Sequence, residues 1–88
     1  MSSLRKAVED YLILRRALGF KLRDMGTALH HFVSFMERER AYTITTSLAL
    51  RWAIQPQQVQ PAHWAARLSF VRSFARHWSA IDPQTEIP

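Results

Sequence analysis

The apolar positions of the first twenty residues fall at Leu4, Val8, Tyr11, Leu12 and Leu18, the three- and four-residue spacing that lines one face of a helix. Ser2 or Ser3 is a suitable N-cap. Glu9 and Asp10 lie nearer the start and Arg15 and Arg16 near the end, as the helix dipole favours. Gly19 is a natural C-terminal stop, and Phe20 after it is placed to fold back as the apolar contact of a Schellman-type cap. The pattern predicts a first helix over residues 3–18. A second stripe, Met25, Ala28, Leu29, Phe32, Val33 and Met36, predicts a helix that starts within 22–24 and ends near Arg40. Arg23, Thr27, His30, His31, Ser34 and Arg38 occupy its other side, and Gly26 weakens its first turn by about 1 kcal/mol relative to alanine.

The β-branched stretch "AYTITT" has no second strand pattern to pair with, so it reads as a connector. Thr45 or Thr46 can cap a shorter helix in "SLALRWAIQ", with Leu48, Ala49 and Trp52 inward and Pro56 closing it. After the polar loop "QPQQVQ", Pro61 suits the first turn of a last helix. Its inward face runs Trp64, Leu68, Val71, Phe74, Ala75, Trp78 and Ile81, and Asp82 and Pro83 end it. Four helices, short loops and no internal repeat make the fold class all-α. At 88 residues this is one domain's worth of chain with a small core, and an apolar share of 48% is ample to fold it.

Charge adds the first hint of function. Twelve Lys and Arg stand against seven Asp and Glu, and the stretch 41–81 holds Arg51, Arg67, Arg72 and Arg76 with no acidic residue at all. A one-signed stretch of this kind attracts polyanions, nucleic acid above all. The absence of cysteine excludes disulfides and thiolate metal sites, and no apolar run has the length of a signal peptide or of a membrane span. These features predict a soluble, cytoplasmic protein with no membrane partner.

The inventory of reactive groups is thin. His30 and His31 are adjacent and so diverge by about 100° on a helix, while His63 and His77 stand alone, which leaves no metal-ligand spacing. Gly19 and Gly26 are the only glycines, so there is neither a phosphate loop nor a nucleophile elbow. No metal, cofactor or catalytic residue is expected. The basic residues are more telling. Arg72 and Arg76 share a face of the last helix away from its core stripe, and His63 and Arg67 lie near its start. Arg67, one step from Leu68, sits at the boundary of the buried face, where it can also snorkel along the core. Lys21, Arg23, Thr27 and His30 form a comparable cluster at the start of the second helix. Either cluster suits DNA docking or a plain solvated face. The aromatics fall in the apolar stripes and read as core, not as base-stacking platforms.

Three stretches together, "AVEDYLILRRALGFKLRDMGTALHHFVSFMERE", "TITTSLALRWA" and "AARLSFVRSFARHWSAIDPQTEIP", resemble the N-terminal core-binding domain of the tyrosine recombinases, or phage-type integrases. The most specific parts are "YLILRRALGF", the spacing of Leu29, Phe32, Val33 and Phe35, and "RLSFVRSFARHW". The resemblance implies a compact four-helix, SAM-like bundle over residues 1–81 that forms half of a clamp around double-stranded DNA. The second and fourth helices would then face the major groove, with contacts from Lys21, Arg23 and Thr27 and from His63, Arg67 and Arg72. It further implies that residues 82–88, "DPQTEIP", begin a linker to the C-terminal catalytic domain of the same parent chain. That domain would supply the arginines, histidines and nucleophilic tyrosine, and further recombinase protomers would share the DNA. Neither Tyr11, spaced as a core residue, nor Tyr42, in a loop, is expected to be a nucleophile. The competing readings are a helical protein-interaction module with a basic face and a small helix-turn-helix regulator, the latter disfavoured because the loops between the second, third and fourth helices are long for that motif and lack its tight glycine turn.

Overall fold

The computed structural model describes residues 3–88, and among them it contains four helices and no strand: α1 (Ser3–Ala17), α2 (Arg23–Arg38), α3 (Thr46–Ala53) and α4 (Pro61–Trp78). The all-α class and the order of elements are those expected. The chain divides into two compact units, one up to Tyr42 and one from Thr43 to Pro88. Each is built on a helix pair, α1 with α2 and α3 with α4. No helix among the described residues is long and apolar enough to cross a membrane.

In the first unit α1 buries Leu4, Ala7, Val8, Tyr11 and Leu12, and α2 buries Gly26, Ala28, Leu29, Phe32, Val33, Phe35 and Met36. The two helices are also clasped from the side. Arg5 donates from Nε and Nη2 to the two carboxylate oxygens of Glu37 at 3.0 and 2.8 Å, and from Nη2 to Ser34 Oγ at 3.1 Å. This forked pair is only partly buried, so it fixes geometry more than it adds stability, which is about 1 kcal/mol or less for such pairs.

The turn from α1 to α2 is a Schellman cap. Phe20 N–H donates to the Arg15 carbonyl and Gly19 N–H to the Arg16 carbonyl, while Gly19 takes φ 92°, where a Cβ is strained. The side-chain contact that completes the cap is not aliphatic: the Arg15 guanidinium lies 4.1 Å from the centre of the Phe20 ring. One expectation needs correction here. Leu18, expected on the buried face, is exposed, because α1 ends at Ala17 and the turn carries it away from the core stripe; Phe20, folded back on Arg15, is exposed as well. α2, which ends at Arg38, is closed in the same way: Arg40 adopts φ 54° while Ala41 N–H donates to the Met36 carbonyl.

The second unit centres on α3, which at eight residues is too short to hold itself. Two of its N-terminal N–H groups are met by side chains. Thr45 Oγ1, the expected cap, accepts from Leu48 N–H at 3.1 Å, and Glu86 Oε1 accepts from Thr46 N–H at 2.8 Å. The Glu86 N–H in turn donates to the Ile44 carbonyl, and both Ile44 and Thr85 are buried. Residues 82–88, expected to begin a linker, are thus fastened to the start of α3. On α4, Val71, Phe74 and Ala75 are buried, and the rings of Phe74 and Trp78 stack with centroids 6.2 Å apart. Trp64, Leu68 and Trp78 are half-buried. Ile81, expected at the end of the inward face, is exposed because the helix stops at Trp78.

The two glycines should respond to alanine with opposite sign. Gly19→Ala is expected to lower stability by about 1 kcal/mol through left-handed strain, read in urea denaturation. A Cβ on Gly26 would lie 3.0 Å from Arg16 Nη2, the mobile end of an exposed side chain, and 3.8 Å from Leu12 Cδ1. Since Arg16 can yield, Gly26→Ala should raise stability by up to about 1 kcal/mol through helix propensity. A loss at Gly26 would show that α1 and α2 pack more rigidly there.

Candidate nucleic-acid interface

The outward face of α2 is set by its buried stripe. With Leu29, Phe32, Val33 and Met36 inward, the helical period turns Arg23, Thr27 and His30 the other way, at i, i+4 and i+7. Lys21, in the turn before the helix, is exposed, as are Arg23 and Thr27. His30 is half-buried with Nδ1 2.7 Å from the Gly26 carbonyl, and Thr27 Oγ1 donates to the Arg23 carbonyl at 3.1 Å. Asp24, in the first turn, flanks the group as the dipole favours. Lys21, Arg23 and Thr27 therefore come together at one end of the first unit.

The second unit treats its three expected contact residues differently. His63 is exposed in the first turn of α4, where its N–H donates to the Gln60 carbonyl. Arg67 is turned inward onto α3. Its Nε donates to the Ala53 carbonyl at 3.2 Å, its Nη2 to the Trp52 carbonyl at 2.8 Å, and its guanidinium carbon lies 3.7 Å from the centre of the buried Trp52 ring. Burial lowers the Arg67 guanidinium from its ordinary value, yet the group stays charged. The positive charge thus closes the C-terminal end of α3, where the dipole favours a cation. Arg72 is half-buried and donates from Nε to the Pro88 carbonyl oxygen at 2.6 Å.

Arg76, which by sequence shares with Arg72 a face away from the core stripe, is exposed and presents its charge on the outer side. One further feature of α4 had no strong signal in the sequence. Between the arginines and the helix start, the surface is made of small exposed side chains, Ala62, Ala65, Ala66 and Ser69. Small residues let a helix backbone approach a partner closely, and only the helical period, read for what is absent, could have shown them. Among the described residues no group of His, Asp or Glu side chains could hold a metal ion.

Arg67→Ala is expected to lower unfolding free energy by about 2 kcal/mol, since it removes two charge-assisted bonds and a cation–π contact. Arg67→Lys should recover only part of that, lacking the fork. Arg76→Ala should change stability by less than about 0.5 kcal/mol. Equal costs for Arg67→Ala and Arg76→Ala in chemical denaturation would contradict this division of roles.

Among known proteins, no family model matches the chain, and no solved structure matches it. A protein of Sinorhizobium fredii (strain NBRC 101917 / NGR234), "Putative integrase/recombinase y4rB", is 51% identical over all 88 residues. The chain spans 28% of that relative's length and corresponds to its N-terminal part. The similarity extends over the whole chain, and the relative's printed description falls in the class that the sequence motifs resemble.

Proposed function

We propose that the chain is the DNA-binding, core-binding domain of a site-specific tyrosine recombinase, and that it clamps double-stranded DNA for strand exchange. The cutting and rejoining would be done by a C-terminal catalytic domain of the same parent chain, acting with further protomers on the DNA. The observation that carries this reading is the outer side of α4. An acid-free stretch presents small side chains, Ala62, Ala65, Ala66 and Ser69, edged by Arg72 and Arg76, so that backbone and guanidinium groups can approach phosphates together. The basic end of α2 supports it independently. Lys21, Arg23 and Arg76 would hold phosphates, His63 stands where a first-turn side chain can reach a base edge, and Thr27 lies between cations. Arg67 would contribute mainly by fixing α4 on α3, and Arg72 by whichever donors its bond to Pro88 leaves over.

A second reading, a helical protein-interaction module, is favoured by one observation. Ile13, Leu14 and Leu18 are exposed on and just beyond the C-terminal half of α1, close in sequence to the exposed Phe20, and such side chains have no use against a phosphate backbone.

The test is fluorescence anisotropy of a labelled duplex with the 88-residue chain across salt concentrations. If about four phosphates are neutralised, log K should fall with log salt at a slope of about −4. The variant Lys21→Ala/Arg76→Ala should flatten that slope by about 2 and leave the melting temperature within error. An absence of binding at low salt would overturn the DNA reading and leave the interaction module.

A further inference from the structure

The two polar side chains in the middle of the outward face of α2 both spend their proton on their own helix. A carbonyl oxygen can only accept, so the 2.7 Å contact of His30 with the Gly26 carbonyl places the ring proton on Nδ1. In the neutral imidazole Nε2 is then an acceptor. The 3.1 Å bond of Thr27 to the Arg23 carbonyl uses the single hydroxyl proton in the same way and leaves the oxygen's lone pairs to accept from a donor. Thr27 and His30 are three residues apart, hence neighbours on the helix surface with Cβ atoms about 5–6 Å apart. Their flanking residues, Lys21 and Arg23, have side chains that only donate. One small patch therefore offers two acceptors beside two cations.

Phosphates suit the cations and not the acceptors, because phosphate oxygens have no proton to give. In the major groove the donors are the exocyclic amines, N6 of adenine and N4 of cytosine, whereas guanine and thymine turn acceptors or a methyl group outward. We propose that Thr27 and His30 are specificity-determining residues that read exocyclic amines, selecting adenine or cytosine over guanine or thymine on the contacted strand, while Lys21 and Arg23 hold the adjoining backbone. A spacing of about 5–6 Å fits two neighbouring or next-neighbouring bases, which are stacked about 3.4 Å apart. The inference rests on the DNA-binding reading above and adds to it which side chains choose the sequence and by what chemistry.

The experiment is a selection of duplexes from a randomised pool by the 88-residue chain at low salt, followed by affinity measurements on the selected site. Within that site an adenine or cytosine should recur, and replacing it with the same base lacking its exocyclic amine should weaken binding about tenfold. His30→Ala should abolish that dependence on the amine, with its fold checked by circular dichroism and thermal melting. Thr27→Val, which keeps the shape and removes the acceptor, supplies a second test that the half-burial of His30 does not complicate. It should lessen discrimination at one neighbouring position. If the chain retains DNA and the variants show the same base preferences as the original, the assignment of Thr27 and His30 is overturned and DNA binding stands. If no duplex is retained at low salt, the DNA reading itself fails and the assignment falls with it.

Discussion

The second unit depends on closing the two ends of a helix that cannot stand alone. Eight residues give α3 few internal bonds for its nucleation cost, so its terminal N–H and C=O groups must find partners elsewhere. A carboxylate, Glu86, meets the N-terminal end, and a guanidinium, Arg67, meets the C-terminal end. Both charges have the sign that the helix dipole requires. The arrangement explains why the last residues of the chain are fastened down, and why an arginine in the middle of a basic helix faces inward. It also fixes the rotation of α4. With Arg67 on the α3 side, the opposite surface is left to alanines, Ser69, Arg72 and Arg76, the part of the helix that can meet a polyanion.

In the first unit the equivalent constraint is the turn between α1 and α2. Gly19 reverses the chain, and Arg15 stacks on Phe20 instead of extending into water, so a residue that adds to the formal charge does local structural work. The turn delivers Lys21 and Arg23 to the beginning of α2. The Arg5 fork to Glu37 then closes the far half of the helix pair. Lys21 and Arg23 are thereby exposed beside Thr27 and His30 at the N-terminal half of α2, while Arg16, Arg38 and Arg40 are exposed elsewhere in the same unit. Counting basic residues therefore overstates the charge available to a partner, because Arg5, Arg15 and Arg67 are each engaged within their own unit.

Periodicity made the four helices legible, together with the Thr45 cap, the Gly19 stop and most of the core from Leu4 to Ala75. It failed at the ends. Leu18 and Ile81 continue the apolar rhythm of their helices by sequence, but the helices stop before them and the side chains turn outward. A residue after the last turn no longer obeys the period. The small outward surface of α4 was harder to see, since alanine and serine give no signal in a search for charge or chemistry. Glu86 could not have been found from the sequence, because it acts on an amide forty positions away. For Arg67 the sequence left both an inward and an outward role open, and the partly buried guanidinium stacked on Trp52 shows the inward one.

The central claim is that two particular helical surfaces, one in each unit, meet duplex DNA. Amide chemical-shift mapping of the isotopically labelled chain, titrated with a duplex at low salt, tests it most directly. Perturbations should concentrate on residues 21–31 and 62–76, strongest near Lys21, Arg23, His63 and Arg76. Perturbations centred instead on Ile13, Leu14 and Leu18, or an unchanged spectrum at saturating duplex, would contradict it.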